Sequence, residues 1–168
     1  MSGGVIAGAI LIPNIGGWIG LAAGIIKNRI GLNWYEALIR PSWYPPDWLV
    51  GILWTIWFSS MGYSSYLVYR DIGGFTERAV LPMTVYGVHL LICWTWTPVF
   101  LRTQSVYAGL YHILALDATA VATGAIFFQT NRTALYAMIP FLCWMVFDTT
   151  LMFRVWSDNK NVGIIKDN

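Results

Sequence analysis

The sequence predicts an all-α membrane protein, a bundle of five transmembrane helices whose first loop is ordered and caps a pocket. Three observations carry this reading. Hydrophobic residues fill 57% of the 168 positions and charged residues 11%, well below the roughly 25% charged share of a soluble domain. The apolar residues gather into five runs of about 20, the length that carries a helix across the hydrocarbon core. Between the runs lie short polar connections that hold most of the charge. A soluble fold of this size has no interior large enough for so much apolar surface. In hydrocarbon every backbone N–H and C=O needs an internal partner, so each run is expected to be helical.

The spans are taken in order, and together they make residues 1–168 a single membrane domain. The first covers about 5–26 and is closed by Lys27-Asn28-Arg29. Before it, Met1-Ser2-Gly3-Gly4 lacks the basic start of a cleavable signal, so this helix is expected to be retained. The second covers about 48–69 and stops at Arg70-Asp71; the third covers about 79–101 and ends at Arg102. The fourth covers about 106–128, before Gln129-Thr130-Asn131-Arg132, and the fifth about 134–156, before a polar tail. Five crossings put the termini on opposite sides. Lys27, Arg29, Arg40, Arg102, Arg154, Lys160 and Lys166 then share the C-terminal side, against Arg70, Arg78 and Arg132 on the other. The excess of basic residues predicts a cytosolic C-terminus. Asn131-Arg132-Thr133 is a glycosylation sequon on the opposite side.

Within the first span Gly16, Gly20 and Gly24 recur every fourth residue, and small residues in that pattern let a second helix approach closely. The partner is either another helix of the same chain or the same face of a second copy in a homodimer. Pro13, Pro82, Pro98 and Pro140 lie inside spans, where they kink helices and open space between them. Net charge is +2 and no basic run is long enough for nucleic acid, so membrane lipid is the expected surrounding. Cys93 and Cys143 both fall in apolar stretches, which argues against a disulfide framework or a zinc site.

The longest connection, 27–47, is not built like a linker. It holds Trp34-Tyr35, Leu38 and then Arg40-Pro41-Ser42-Trp43-Tyr44-Pro45-Pro46. Proline fixes φ and restricts the residue before it, so the segment loses little entropy on ordering. Its aromatic residues give it something to bury, and an ordered cap over one end of the bundle is expected. Its alternative is an interfacial aromatic anchor with no ligand role.

This loop also carries a resemblance. Trp34-Tyr35-x-x-Leu38-x-Arg40-Pro41-x-Trp43-x-Pro45-Pro46 resembles the loop signature of the TspO/MBR family. Pro13-x-x-Gly16-Gly17 is similar to the family's first helix, and Trp54 with Met61-Gly62-Tyr63 and Tyr66 to its second. Asp71-Ile72-Gly73-Gly74-Phe75-Thr76-Glu77 resembles a loop of animal members. Trp94-x-Trp96-x-Pro98-x-Phe100 is similar to the third helix, and Pro140-x-x-x-Trp144-x-x-Phe147 to the fifth. The motifs run through the whole chain in order. The resemblance implies a five-helix bundle with a pocket at its cytosolic end and residence in the mitochondrial outer membrane. It also implies porphyrins (protoporphyrin IX or haem), cholesterol and synthetic benzodiazepine-type or isoquinoline compounds as ligands. No cofactor is required by this reading.

The resemblance places two porphyrin-associated tryptophans at Trp54 and Trp144. Helical spacing puts Trp144, Asp148 and Leu151 on one face, so the carboxyl meets what Trp144 meets. The candidate ligand contacts are these four with Val50, Gly51 and Leu53 on the second span, His89 on the third, and Tyr35, Trp43 and Pro45 from the loop. Ionisable groups inside spans are functional suspects, here His89, His112, Asp117 and Asp148. For the histidines the plain account is interhelical hydrogen bonding. No motif among these groups describes a metal site, and no nucleophile–base pair points to hydrolysis. If the protein is an enzyme, Trp54 and Trp144 are its only candidates, in light-driven degradation of a porphyrin. The third reading is a membrane scaffold.

Departures from the family pattern cluster at the pocket. His89 stands where many members have Gln, Cys93 where many have Asn, and Asp148 where a small residue is usual. A carboxylate facing the pocket penalises an apolar drug, so weak binding of isoquinoline-type compounds is expected. The sterol motif of the last helix is broken, with Phe153 at its tyrosine position and Ser157 at its basic one. Leu32, Tyr35 and Arg40 fit the looser sterol pattern.

Overall fold

The computed structural model describes residues 3–26 and 29–160, all of them in helices or the short turns between. Lys27, Asn28 and Lys166, used above to close the first span and to orient the chain, lie outside the described residues. The helices are α1 (Gly3–Ile26), α2 (Arg29–Ala37), α3 (Asp47–Ile72), α4 (Glu77–Thr103), α5 (Val106–Thr130) and α6 (Arg132–Asn159).

The expected count of five transmembrane helices is corrected in two respects. Among the described residues there are six helices, because the first half of the long loop folds into the nine-residue α2. Among the described residues four helices are long and apolar enough to cross a membrane: Gly3–Ile25, Glu77–Thr103, Val106–Thr130 and Arg132–Asn159. The run at 48–69 forms the 26-residue α3, but its Trp, Ser and Tyr residues dilute its hydropathy below that of the other four. The placement of the termini on opposite sides counted five crossings, and it does not follow from four.

The long helices close into a ring. α1 packs between α3 and α4, α4 lies on α5, α5 on α6, and α6 returns to α3. Large apolar side chains face outward: Ile12, Ile19, Val121 and Val146 are each 60–69% exposed. Such a surface is stable only against lipid. The interior is packed with Met61, Ile113, Phe127, Met138 and Phe141, all fully buried.

The buried and half-buried serine hydroxyls of α3 find partners on the helices themselves. Ser59 donates to Thr55 O, Ser64 to Ser60 O, Ser65 to Gly62 O, and Ser60 reaches across to Ala137 O on α6. This lets serine sit inside the bundle without water. The glycine face of α1 is occupied by α4 of the same chain. A Cβ at Gly16 would enter the Trp94 ring, one at Gly20 the Trp94 carbonyl, and one at Gly24 the Thr97 side chain. Trp94 completes the seam by donating Nε1–H to Pro13 O at 3.0 Å.

Helix ends are marked in the sequence. Gly73 (φ 87°) and Gly74 (φ 99°) adopt left-handed backbone and return their N–H groups to Arg70 O and Tyr69 O, the usual glycine stop. Ser105 and Asn131 cap α5 and α6 by accepting from Ala108 N and Ala134 N. Asn131 also donates to Asp71, so the sequon asparagine is engaged through both ends of its amide.

Candidate functional site

At the α2 end of the bundle, the segment from α2 to Pro46 folds over the ring and closes a cavity of about 300 Å³. Four sets of contacts hold it. Trp34 and Tyr35 set their edges on the buried Phe100 ring, at 5.2 and 6.3 Å between centroids. The Arg40 guanidinium lies 4.0 Å over the Tyr35 ring and 5.0 Å from that of Tyr44, and donates to Tyr35 O at 2.8 Å. The Tyr35 hydroxyl donates to Asp47 at 3.0 Å, so the Tyr44 hydroxyl, 2.6 Å away, must donate to Tyr35. Burial raises the pKa of both phenols, and for Tyr35 the adjacent Tyr44 raises it further. Both therefore stay protonated and the chain of hydrogen bonds stays closed. Finally, Asn159 at the end of α6 holds Ile39 through its N–H and its C=O, at 2.9 and 2.8 Å.

The walls come from four helices. α3 supplies Val50, Gly51, Trp54, Thr55 and Phe58, a stripe at helical spacing. α4 supplies Cys93, Trp94, Trp96, Thr97 and Phe100, with Trp96 stacked on Phe100 at 5.2 Å and 9°. Trp144, Asp148, Leu151 and Met152 line it from α6, and Gly17, Trp18 and Leu21 from α1. From the lid come Tyr35, Leu38, Arg40, Tyr44, Pro45 and, at the start of α3, Asp47.

Of the residues picked from sequence, Trp54, Trp144, Asp148, Leu151, Val50, Gly51, Tyr35 and Pro45 meet around this one cavity. Leu53 falls off the α3 stripe and is not on the wall. Trp43 is turned to α6, where its edge meets the Phe147 ring at 5.7 Å, and remains 46% exposed. His89 is fully buried behind Cys93. The Thr119 hydroxyl donates to Ala115 O and Leu116 O, so it accepts from His89 Nδ1–H at 2.9 Å, leaving Nε2 to accept from Cys93 Sγ at 3.5 Å. His112 likewise donates Nε2–H to Ile92 O at 2.9 Å. Both rings tie α4 to α5. Among the described residues no three His, Cys, Asp or Glu side chains gather as a metal site.

Two acids remain on the α5–α6 side. Asp117 accepts from Thr149 Oγ1 at 2.6 Å, while its other oxygen is buried without a partner among the described residues. Asp148, on the cavity wall, makes no hydrogen bond or ion pair among the described residues. The indole N–H of Trp144 is also unpartnered there. Sequence reading missed Asn159, Tyr44, Trp96 and Phe100 as parts of the site. The last two stood inside a quoted motif, but Asn159 lay in what reads as a polar tail.

Fold and cavity together define a polytopic α-helical membrane protein with a lidded, aromatic-walled binding chamber. A model of the TspO/MBR family matches residues 9–157. The human translocator protein is 38% identical over 152 residues, covering 90% of this chain and 88% of the human one. The chain belongs to the TspO/MBR family. It is also similar to the dog translocator protein 2, at 28% identity over 151 residues, 89% of this chain and 86% of that one. The tryptophan-rich protein TspO of Chlorobaculum tepidum is 30% identical over 138 residues, 82% of this chain and 86% of that one.

Proposed function

We propose that this membrane protein binds a large, flat, mainly apolar molecule of the porphyrin kind in the lidded cavity. The observation that carries the reading is the wall itself: Trp54, Trp96, Phe100 and Trp144 line one partly open cavity of about 300 Å³. Small-molecule sites span roughly 300–1,000 Å³ and are mostly apolar with a few orienting polar groups. Indole and phenyl faces suit a planar ring system, which gains from offset stacking as well as from burial. A sterol has no π-face to use this wall, and the altered last-helix motif removes its expected partner, so we rank sterols behind porphyrins. The seat we propose is the mitochondrial outer membrane, by analogy with animal members of the family.

Trp54 and Trp144 on the same wall also keep a second reading in play: an excited porphyrin held there can oxidise a neighbouring indole. One titration separates the two. Purified protein is titrated with protoporphyrin IX, following tryptophan fluorescence in the dark and absorption spectra under light, for the wild type and for Trp54→Phe and Trp144→Phe. Saturable quenching with unchanged spectra is the result expected of a binding protein. A new chromophore that needs either tryptophan would establish the photochemical enzyme. Absence of quenching would sink both and leave a scaffold.

A further inference from the structure

Asp148 poses a physical problem that the chain leaves open. A carboxyl on the wall of an apolar cavity within a bundle is costly unless a cation or hydrogen-bond donors meet it. The described residues offer neither. Among the described residues Arg40 is the one basic side chain on the cavity wall, and it is committed at the mouth: it lies between the Tyr35 and Tyr44 rings, bonded to Tyr35 O and 3.8 Å from Asp47. His89 and His112 are turned to Thr119, Cys93 and Ile92 O. A second acid, Asp117 on α5, is held by Thr149 on α6 and is not on the cavity wall. Asp148 therefore lies on the wall with no base beside it among the described residues, and the same lining includes the rings of Trp54, Trp144 and Tyr44. A carboxylate framed by aromatic rings is the arrangement that recognises an organic cation, through charge and through the ring quadrupoles together.

We infer that the cavity selects a flat aromatic ligand carrying a protonated amine, with the Asp148 carboxylate as its counter-charge. This rests on the reading of the cavity as a site for flat aromatic molecules, and among these it favours a cationic one over an acidic porphyrin such as protoporphyrin IX. Binding supplies the cation that the fold omits; a neutral ligand of the same shape leaves the carboxyl without a partner.

The test uses two probes of one shape, 1-pyrenemethylamine and 1-pyrenemethanol, added to the full-length protein in a non-ionic detergent. Energy transfer from tryptophan to pyrene reports occupancy. The wild type is expected to bind the amine about tenfold more tightly than the alcohol, corresponding to one charge-assisted contact. Asp148→Asn should erase that preference while holding the alcohol as before, and Asp148→Glu should restore it. Equal affinities in the wild type, or a preference that survives Asp148→Asn, would overturn the inference while the cavity reading stands on the alcohol. Failure of both probes to transfer energy in the wild type would take the cavity reading down as well. Should Asp148→Asn also lose the alcohol through misfolding, the Glu variant decides: a preference lost there overturns the inference, and one retained supports it.

Discussion

Asn159 and Ile39 are joined by two hydrogen bonds across 120 positions of sequence, Ile39 N–H to Asn159 Oδ1 and Asn159 Nδ2–H to Ile39 C=O. A third bond, from Asn159 Nδ2 to Val155 O, fixes the side chain on α6, and the residue is fully buried. Because Ile39 lies two residues past the end of α2, the last turn of the last helix latches the lid over the cavity. Asn159→Ala removes the partner of the part-buried N–H and C=O of Ile39. A loss of about 1–3 kcal/mol in stability is expected, together with faster ligand release. Thermal melting in detergent and the dissociation rate of bound protoporphyrin check this. Unchanged release with a lowered melting point would mean that the latch supports the fold without gating the cavity.

The seam between α1 and α4 gives a contrast within a single helix. At Gly20 a Cβ would meet the Trp94 carbonyl, a backbone atom that cannot rotate away. At Gly8 nothing lies within 4 Å. Gly20→Ala should therefore destabilise by about 1–3 kcal/mol through overpacking, whereas Gly8→Ala should be neutral or gain up to about 1 kcal/mol from helix propensity. Melting points of the two variants measured side by side decide it. Equal effects would contradict the close approach of α1 to α4.

What sequence could and could not reveal follows from the range of the interactions. The apolar runs and the Gly, Ser and Asn residues that end or cap the helices act locally, so the long helices could be read almost to their ends. The aromatic loop was legible as an ordered cap because prolines and rings are costly in a disordered linker. Three things were not legible. α3 counted as a span because its run is long, although its tryptophans and serines serve the interior. α2 was hidden inside a loop because nine residues carry too little periodicity to stand out. The Ile39–Asn159 latch depends on a contact between chain segments that no local pattern reports. His89 and Leu53 sat near the right residues in sequence, yet the 100° step of the helix turned Leu53 off the wall, and Cys93 screens His89.

Acidification offers a third prediction. At the end of α3, Arg70 bonds Asp71 at 2.7 Å and, with a further hydrogen bond from Asn131, holds its carboxyl below the usual carboxylate range. A group whose pKa is lower in the folded state contributes stability above its ordinary pKa of about 4, and that contribution is lost as pH falls through the folded value. The pair is solvent-exposed, so the effect is expected to be modest. Melting of the wild type and of Asp71→Asn between neutral and acid pH provides the check. The gap between them should be open at pH 7 and close as the solution is acidified below about pH 3. A gap that stays constant would assign the contribution to packing at Asn131 instead of to charge.

The same carboxyl that favours a cation should penalise a neutral apolar drug. When an isoquinoline-type carboxamide fills the cavity, water leaves Asp148, and no side chain among the described residues replaces it. Asp148→Ala removes the group that must be desolvated and leaves a small apolar patch in its place. Burial of an unmatched polar group costs about 1–3 kcal/mol in proteins, so the variant is expected to bind such a drug roughly tenfold or more tightly. Asp148→Asn should lie between, since an amide is still polar but carries no charge. Competition of a radiolabelled isoquinoline ligand against the unlabelled compound, on all three proteins in the same detergent, measures the order directly. Equal affinity in wild type and Asp148→Ala would show that the carboxyl does not face the drug. An increase in Ala without an intermediate value in Asn would point to the added volume, and not the removed charge, as the cause.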